Sequence, residues 1–286
     1  VRLLGCLLAS AGLASSAGAQ SQRSVLVRID RSVADSSWHT GFHPSFASAA
    51  AAGAVLLWPD APVVQGRPNI GRLLLAVQGT RLTWQPIGAE LAVDSTLGVT
   101  WGVSVASSGA DAPVIGRYIA TWQRDASGAT TAWRLTALMF TEVPSAAAPS
   151  VAGLPLELPP ITPAGNTAAF VTADREFARL AGDSGAAVAF ERWAAPDAHM
   201  FAGGGILVEG PKAIARVVSA PAAWQWHPVA AGASTDGSMG WTVGEAVITA
   251  ADGHSGPSKY LTVWKRQGDG TIRYFTDGGN GRPAAR

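Results

Sequence analysis

The chain has 286 residues, with 21 Lys and Arg against 20 Asp and Glu, and a formal charge of +1 at pH 7. Such a balance excludes the basic stripe with which a protein displaces counterions from nucleic acid. A length near twice that of a typical domain predicts two domains, and eleven Trp predict large cores or cavities walled by aromatic rings.

Residues 1–19 read as a signal peptide of a periplasmic or secreted protein. Arg2 supplies the positive start, residues 3–13 a short apolar run, and Ala17-Gly18-Ala19 a small-residue cleavage site before Gln20. That run is too short for a membrane span, and no later stretch qualifies. Leu3-Leu4-Gly5-Cys6 also has the form of a lipoprotein box, so anchoring through Cys6 is the alternative. Cleavage after Ala19 removes the only Cys and leaves a mature chain without disulfide, thiol or Cys-based metal site.

The elements then follow in order. A helix is predicted over 24–36, with Val25, Ile29 and Val33 on one face, and a second over 44–51. A short apolar strand over 54–58 leads to Gly66-Arg67-Pro68, where Pro in the first turn opens a third helix. Strands with period-two alternation are predicted over 82–93, 97–107, 114–124 and 133–143. Residues 144–166, rich in Pro and Ala, form a semi-rigid linker between a first domain over 24–143 and a second over 167–283.

The second domain repeats the first. Asp30-Arg31 recurs as Asp174-Arg175, Phe46 as Phe190 and Gly66 as Gly210. Trp84 then matches Trp226, Gly98, Thr100 and Gly102 match Gly240, Thr242 and Gly244, and Tyr118 and Trp122 match Tyr260 and Trp264. A constant offset with one two-residue slip is the mark of a duplication. Asp125-Ala126-Ser127-Gly128 and Gly268-Asp269-Gly270 read as the last hairpin turn of each copy, and Asp277-Gly278-Gly279-Asn280 as a turn near the C-terminus. Helices followed by a strand meander give an α+β fold, with helices on one face of a curved antiparallel sheet.

This order, with Gly-Arg-Pro-Asn-Ile at Gly66, Tyr-Leu-Thr-Val-Trp-Lys-Arg-Gln at Tyr260 and Asp-Gly-Gly-Asn at Asp277, resembles the nuclear transport factor 2-like superfamily. The likeness is to its SnoaL-like and ketosteroid-isomerase-like secreted members, many of unknown function. The resemblance implies two tandem cone-shaped, cystatin-like domains, each a bent sheet wrapped round helices with an apolar pocket at one end. It does not decide function, because the superfamily hosts isomerases, dehydratases, binding modules and dimerisation modules. The isomerase branch carries a carboxylate base late in the first strand; here Leu57-Trp58-Pro59 and Phe201-Ala202-Gly203 offer none, and Asp60 falls in a turn.

Two residues of the second copy are candidates for acid–base work. Alternation places Met239, Trp241, Val243, Glu245 and Val247 on one face, with Glu245 its only charge. His199, on the first strand of that copy, is the expected partner across the cone. The competing expectation is structural: Glu245 paired with Arg or Lys at the sheet rim, and His199 a hydrogen-bonded edge histidine. Trp58, Trp101, Tyr118, Trp226, Trp241 and Tyr260 are candidates to line the pockets. His39 and His43 lack a third ligand at metal spacing, and nothing points to a cofactor. Three functions stay open: binding of a small apolar or amphipathic molecule, an enzyme using Glu245 and His199, and an interaction module whose two copies dock sheet to sheet as an internal pseudo-dimer with filled pockets.

Overall fold

The computed structural model describes residues 7–109, 112–125, 132–144, 153–219 and 222–284, with side chains from residue 20 onward save those of residues 125 and 222. Cys6 and the first-copy turn after Asp125 lie outside the described residues. The first half runs α1 (Leu7–Thr40), α2 (Phe42–Ala49), β1 (Ala50–Leu57), β2 (Val64–Gln65), α3 (Arg67–Ala76), β3 (Thr80–Leu91), β4 (Leu97–Ser108), β5 (Val114–Asp125) and β6 (Ala132–Phe140). The second half runs α4 (Ala168–Ser184), α5 (Ala186–Trp193), β7 (Ala194–Ala202), β8 (Ile206–Glu209), α6 (Pro211–Val217), β9 (Ala222–Ala233), β10 (Met239–Ala250), β11 (Ser255–Arg266) and β12 (Ile272–Gly281).

Each half builds one six-stranded sheet, in the orders β2-β1-β6-β5-β4-β3 and β8-β7-β12-β11-β10-β9. The sheets are mixed rather than wholly antiparallel. β1 lies parallel to β6 and β7 parallel to β12, because a short strand, one helix and a meander return the last strand beside the first.

Local sequence sets the helix ends. Gly41 and Gly185 sit at φ +98° and +88° between consecutive helices, a conformation that side chains oppose, and so turn the chain sharply. Pro68 and Pro211 occupy the first turns of α3 and α6, where the missing N–H costs nothing. Two sequence expectations fail at element ends. α1 extends beyond 24–36 at both ends. Asp277-Gly278-Gly279-Asn280 is strand, not turn, because its backbone pairs with β11 from Thr262 back to Lys259.

The long helix of each half crosses the sheet at a glycine. A Cβ on Gly240 would stand 2.3 Å from the Phe170 ring of α4, and one on Gly98 would stand 2.5 Å from Leu26 of α1. These repeated glycines therefore let the helix sink onto the sheet, a close approach that any side chain would block.

Three apolar clusters result. One fills the first half, with Leu26, Phe46, Trp58, Trp84, Tyr118, Trp122 and Phe140. A second lies inside the other half, with Phe170, Phe177, Phe190, Met200, Trp264 and Tyr274. The third joins the outer faces of the two sheets: Val99, Ile119 and Met139 on one side, Phe201, Val243, Leu261, Val263 and Phe275 on the other. Polar contacts across this seam repeat the internal offset. The Asp94 N–H donates to Asp236 at 3.0 Å and the Asp236 N–H to Asp94 at 2.8 Å, two residues 142 apart exchanging the same bond.

Candidate ligand cavity in the second half

Each half holds one buried aspartate on its long helix, clamped by aromatic donors from the sheet. In the first, Trp84 Nε1 and the Tyr118 hydroxyl both donate to Asp30 at 2.6 Å. In the second, Trp226 Nε1 and the Tyr260 hydroxyl donate to Asp174 at 2.9 Å. Desolvation pushes both carboxyls up to about 6, against the opposing pull of these hydrogen bonds. All six residues belong to the repeated pairs, so the duplication preserved a helix-to-sheet clamp in each half.

The two halves differ in what fills the space beyond the clamp. In the first, Phe42 of α2 packs within 5.7 Å of the Trp58 ring, 5.8 Å of Phe140 and 6.0 Å of Trp84. At the offset of 144, Ala186 stands for Phe42 and Ala202 for Trp58. Strand register matches Gly279, opposite Tyr260, to Phe140, opposite Tyr118. Three rings are thus reduced to two methyl groups and a hydrogen.

A cavity of about 340 Å³ occupies that place. Phe177, Phe190, Trp224, Trp226 and Tyr260 give it an aromatic wall, and Asp277 and Thr262 a polar corner. The Thr262 hydroxyl donates to Asp277, and the first half has Ala120 and Leu138 at these two positions. Burial pushes the Asp277 carboxyl up to about 7; the Thr262 bond opposes the shift and the nearby charge of Asp174 adds to it. Asp277 keeps partial exposure because it opens onto the cavity. Trp224 Nε1, also on the wall, is buried with no hydrogen-bond partner among the described residues.

The residues singled out from the sequence are divided among three places. Trp226 and Tyr260 line the cavity. Tyr118 is packed inside the first half, and Trp58 lies in the same core and borders a cleft of about 250 Å³ beside α2 and α3. Trp101 and Trp241 lie in the seam between the sheets. Glu245 and His199 do not meet across the cone. They occupy the outward face of their sheet, three strands apart, and His199 lines up in register with Trp241, four residues from Glu245.

His199 is buried between rings, 4.5 Å from Trp101 of the other half and 4.9 Å from Phe275. Desolvation lowers it to about 4, so it is neutral at pH 7. Glu245 accepts the Leu158 N–H at 3.2 Å and lies 3.7 Å from Arg282, tying the inter-half segment to the C-terminus. Alternation identified its face correctly. Which side of the sheet faced the helices was a tertiary matter, and that face turned out to be the seam. Asp277 was missed because Gly-Gly-Asn after an aspartate is the pattern of a turn; its absence from the repeat was the available signal.

Among the described residues no cluster of three or more His, Cys, Asp or Glu is arranged to hold a metal, and no helix is long and apolar enough to cross a membrane. No protein-family model matches the sequence, and no curated protein matches it. Solved structures do resemble parts of it. A domain of unknown function with a cystatin-like fold from Nostoc punctiforme is 19% identical, with a TM-score of 0.35 over 41% of this chain and 75% of that one. A nuclear transport factor 2-like protein of unknown function from Pseudomonas putida is 13% identical, with a TM-score of 0.33 over 38% and 81%. A Catenulispora acidiphila protein in complex with S-DNPA is 15% identical, with a TM-score of 0.33 over 40% and 91%.

Each half folds as one six-stranded mixed sheet with three helices, the α+β architecture expected from the sequence. Two six-stranded mixed sheets, each with its helices inside the bend, define these tandem cones. The first cone is packed with aromatic rings, and the second holds the cavity.

Proposed function

We propose that this is an exported protein that binds a small, mostly apolar molecule in its second cone, with the first cone serving as a packed support. One observation carries the reading. The residues that plug the first cone, Phe42, Trp58 and Phe140, correspond to Ala186, Ala202 and Gly279, and the last two line the cavity of about 340 Å³. A cavity of that size, walled by rings with a few polar groups in one corner, is the usual form of a small-molecule site.

Plugging tests it directly. The intrinsic Trp fluorescence of the folded chain should respond saturably to a flat probe such as 2-naphthol, because Trp224 and Trp226 form the wall. Ala202→Trp, which copies the first cone, should abolish the response while leaving the circular dichroism unchanged. A response that survives the plug places binding elsewhere.

The geometry gives no support to an enzyme built on Glu245 and His199, which lie outside the cavity. Sheet-to-sheet docking with a filled pocket describes the first cone and the seam. Export rests on Arg2, the apolar run and Ala17-Gly18-Ala19. Sequencing of protein recovered from outside the cytoplasm should find Gln20 at the N-terminus; an intact leader there would contradict export by cleavage.

A further inference from the structure

We infer that the ligand of the second cone is an organic ammonium ion, its cationic head held by Asp277 and its apolar body against the ring wall. This rests on the binding proposed above and names its chemical class.

The charge inventory of the cavity is one-sided. Asp277 and Asp174 are both enclosed in the second cone, and each is close enough to disfavour the other's charge or that of Tyr260. Among the described residues no cationic head answers them from inside. Lys259 borders the cavity, but its ammonium donates to the Gly281 carbonyl at the seam. Arg282 is held by Glu157 and Glu245 on that same outer face. Arg175 follows Asp174 in sequence, and its guanidinium bonds the Ile161 carbonyl outside the cone.

The two carboxylates are not equivalent. Asp174 receives bonds from Trp226 and Tyr260, whereas Thr262 is the one hydrogen-bond donor to Asp277 among the described residues. Asp277 therefore has acceptor capacity to spare, directed into the cavity, and carboxylates in such surroundings must be protonated or take up a counter-charge. The wall suits the second option. Five aromatic side chains surround the space, and ring faces carry the negative end of their quadrupole toward a desolvated cation. The unpaired Trp224 N–H remains free for an acceptor elsewhere on the ligand.

The test compares two probes of similar shape on the intact chain. They are N,N-dimethyl-1-naphthylmethylamine, protonated throughout the range used, and the neutral ketone 1-acetylnaphthalene. The groups facing Asp277 are Asp174 on α4, Tyr260 on β11 and Tyr274 on β12; both tyrosines are held well above their ordinary value by burial, so they stay neutral. Ionising Asp277 creates the counter-charge, so amine affinity should rise at least about tenfold from pH 5.5 to pH 8, while ketone affinity stays flat or falls.

Asp277→Asn should remove the pH dependence and most of the amine affinity. Asp277→Leu, which installs the residue of the first cone and so suits the fold, should do the same while sparing the ketone. An amine affinity indifferent to Asp277, or a ketone bound at least as tightly as the amine at pH 8, would overturn the ammonium assignment and leave the apolar cavity standing. If neither probe binds the folded chain, the cavity reading fails and takes this inference with it.

Discussion

Asp30, Asp174 and Asp277 hold carboxyls where water is scarce, and that has a measurable consequence. Their folded-state values lie near 6, 6 and 7, above the unfolded value of about 4, so the folded chain binds these protons more tightly. The stability they contribute is present below about pH 4 and is lost as pH rises through 6 to 7. His199 acts in the opposite sense. Lowered to about 4, it subtracts stability as pH falls from 6.5 towards 4. The buried Lys259, which desolvation pulls well below its ordinary value, acts in the same sense as His199, so the contribution of one carboxyl is read as a difference between variants. In urea, the stability of the chain relative to Asp174→Asn should fall by on the order of 1 kcal/mol between pH 5 and pH 7.5. A difference that does not change with pH would refute the assignment of this buried acid.

At the scale of the elements, the seat of each helix on its sheet depends on the absence of a side chain. Gly240→Val would drive a branched side chain into the Phe170 ring, which already lies 2.3 Å from the place of its Cβ. The expected loss is about 1 to 3 kcal/mol or more, as for overpacking in a tight core, read from denaturant midpoints. Probe affinity should fall too, because α4 carries Asp174 and Phe177 into the second cone. A neutral result would mean that helix and sheet are looser than their contact indicates. The clamps explain why Asp, Trp and Tyr recur at matched places in the sequence. Each is a helix carboxylate satisfying two strand donors, an arrangement in which losing any one member strands the others.

For the whole molecule the decisive surface is the seam, where two sheets meet over residues such as Ile119, Met139, Leu261 and Val263, each essentially without solvent exposure. The outer face of each sheet is therefore apolar as well as the inner one. Leu261→Asp would bury a charge with no partner and cost about 3 kcal/mol or more. It should also split the thermal transition in two as the halves uncouple. A single transition shifted by less than a degree would show that the seam contributes little.

The sequence by itself determined the helix-then-meander order, the duplication and the face on which Glu245 lies, because these follow from chain-local periodicity and from residues compared along one string. It also held the clue to the cavity, since Phe42, Trp58 and Phe140 have no aromatic counterpart in the second copy. Only the tertiary structure decided which face of each sheet points inward, and so placed Glu245, His199, Trp101 and Trp241 in the seam and Asp277 in the cone. Alternation fixes which side chains share a face, but the side covered by helices is settled by long-range packing, and a β-sheet buried on both sides carries no polar face to tell them apart.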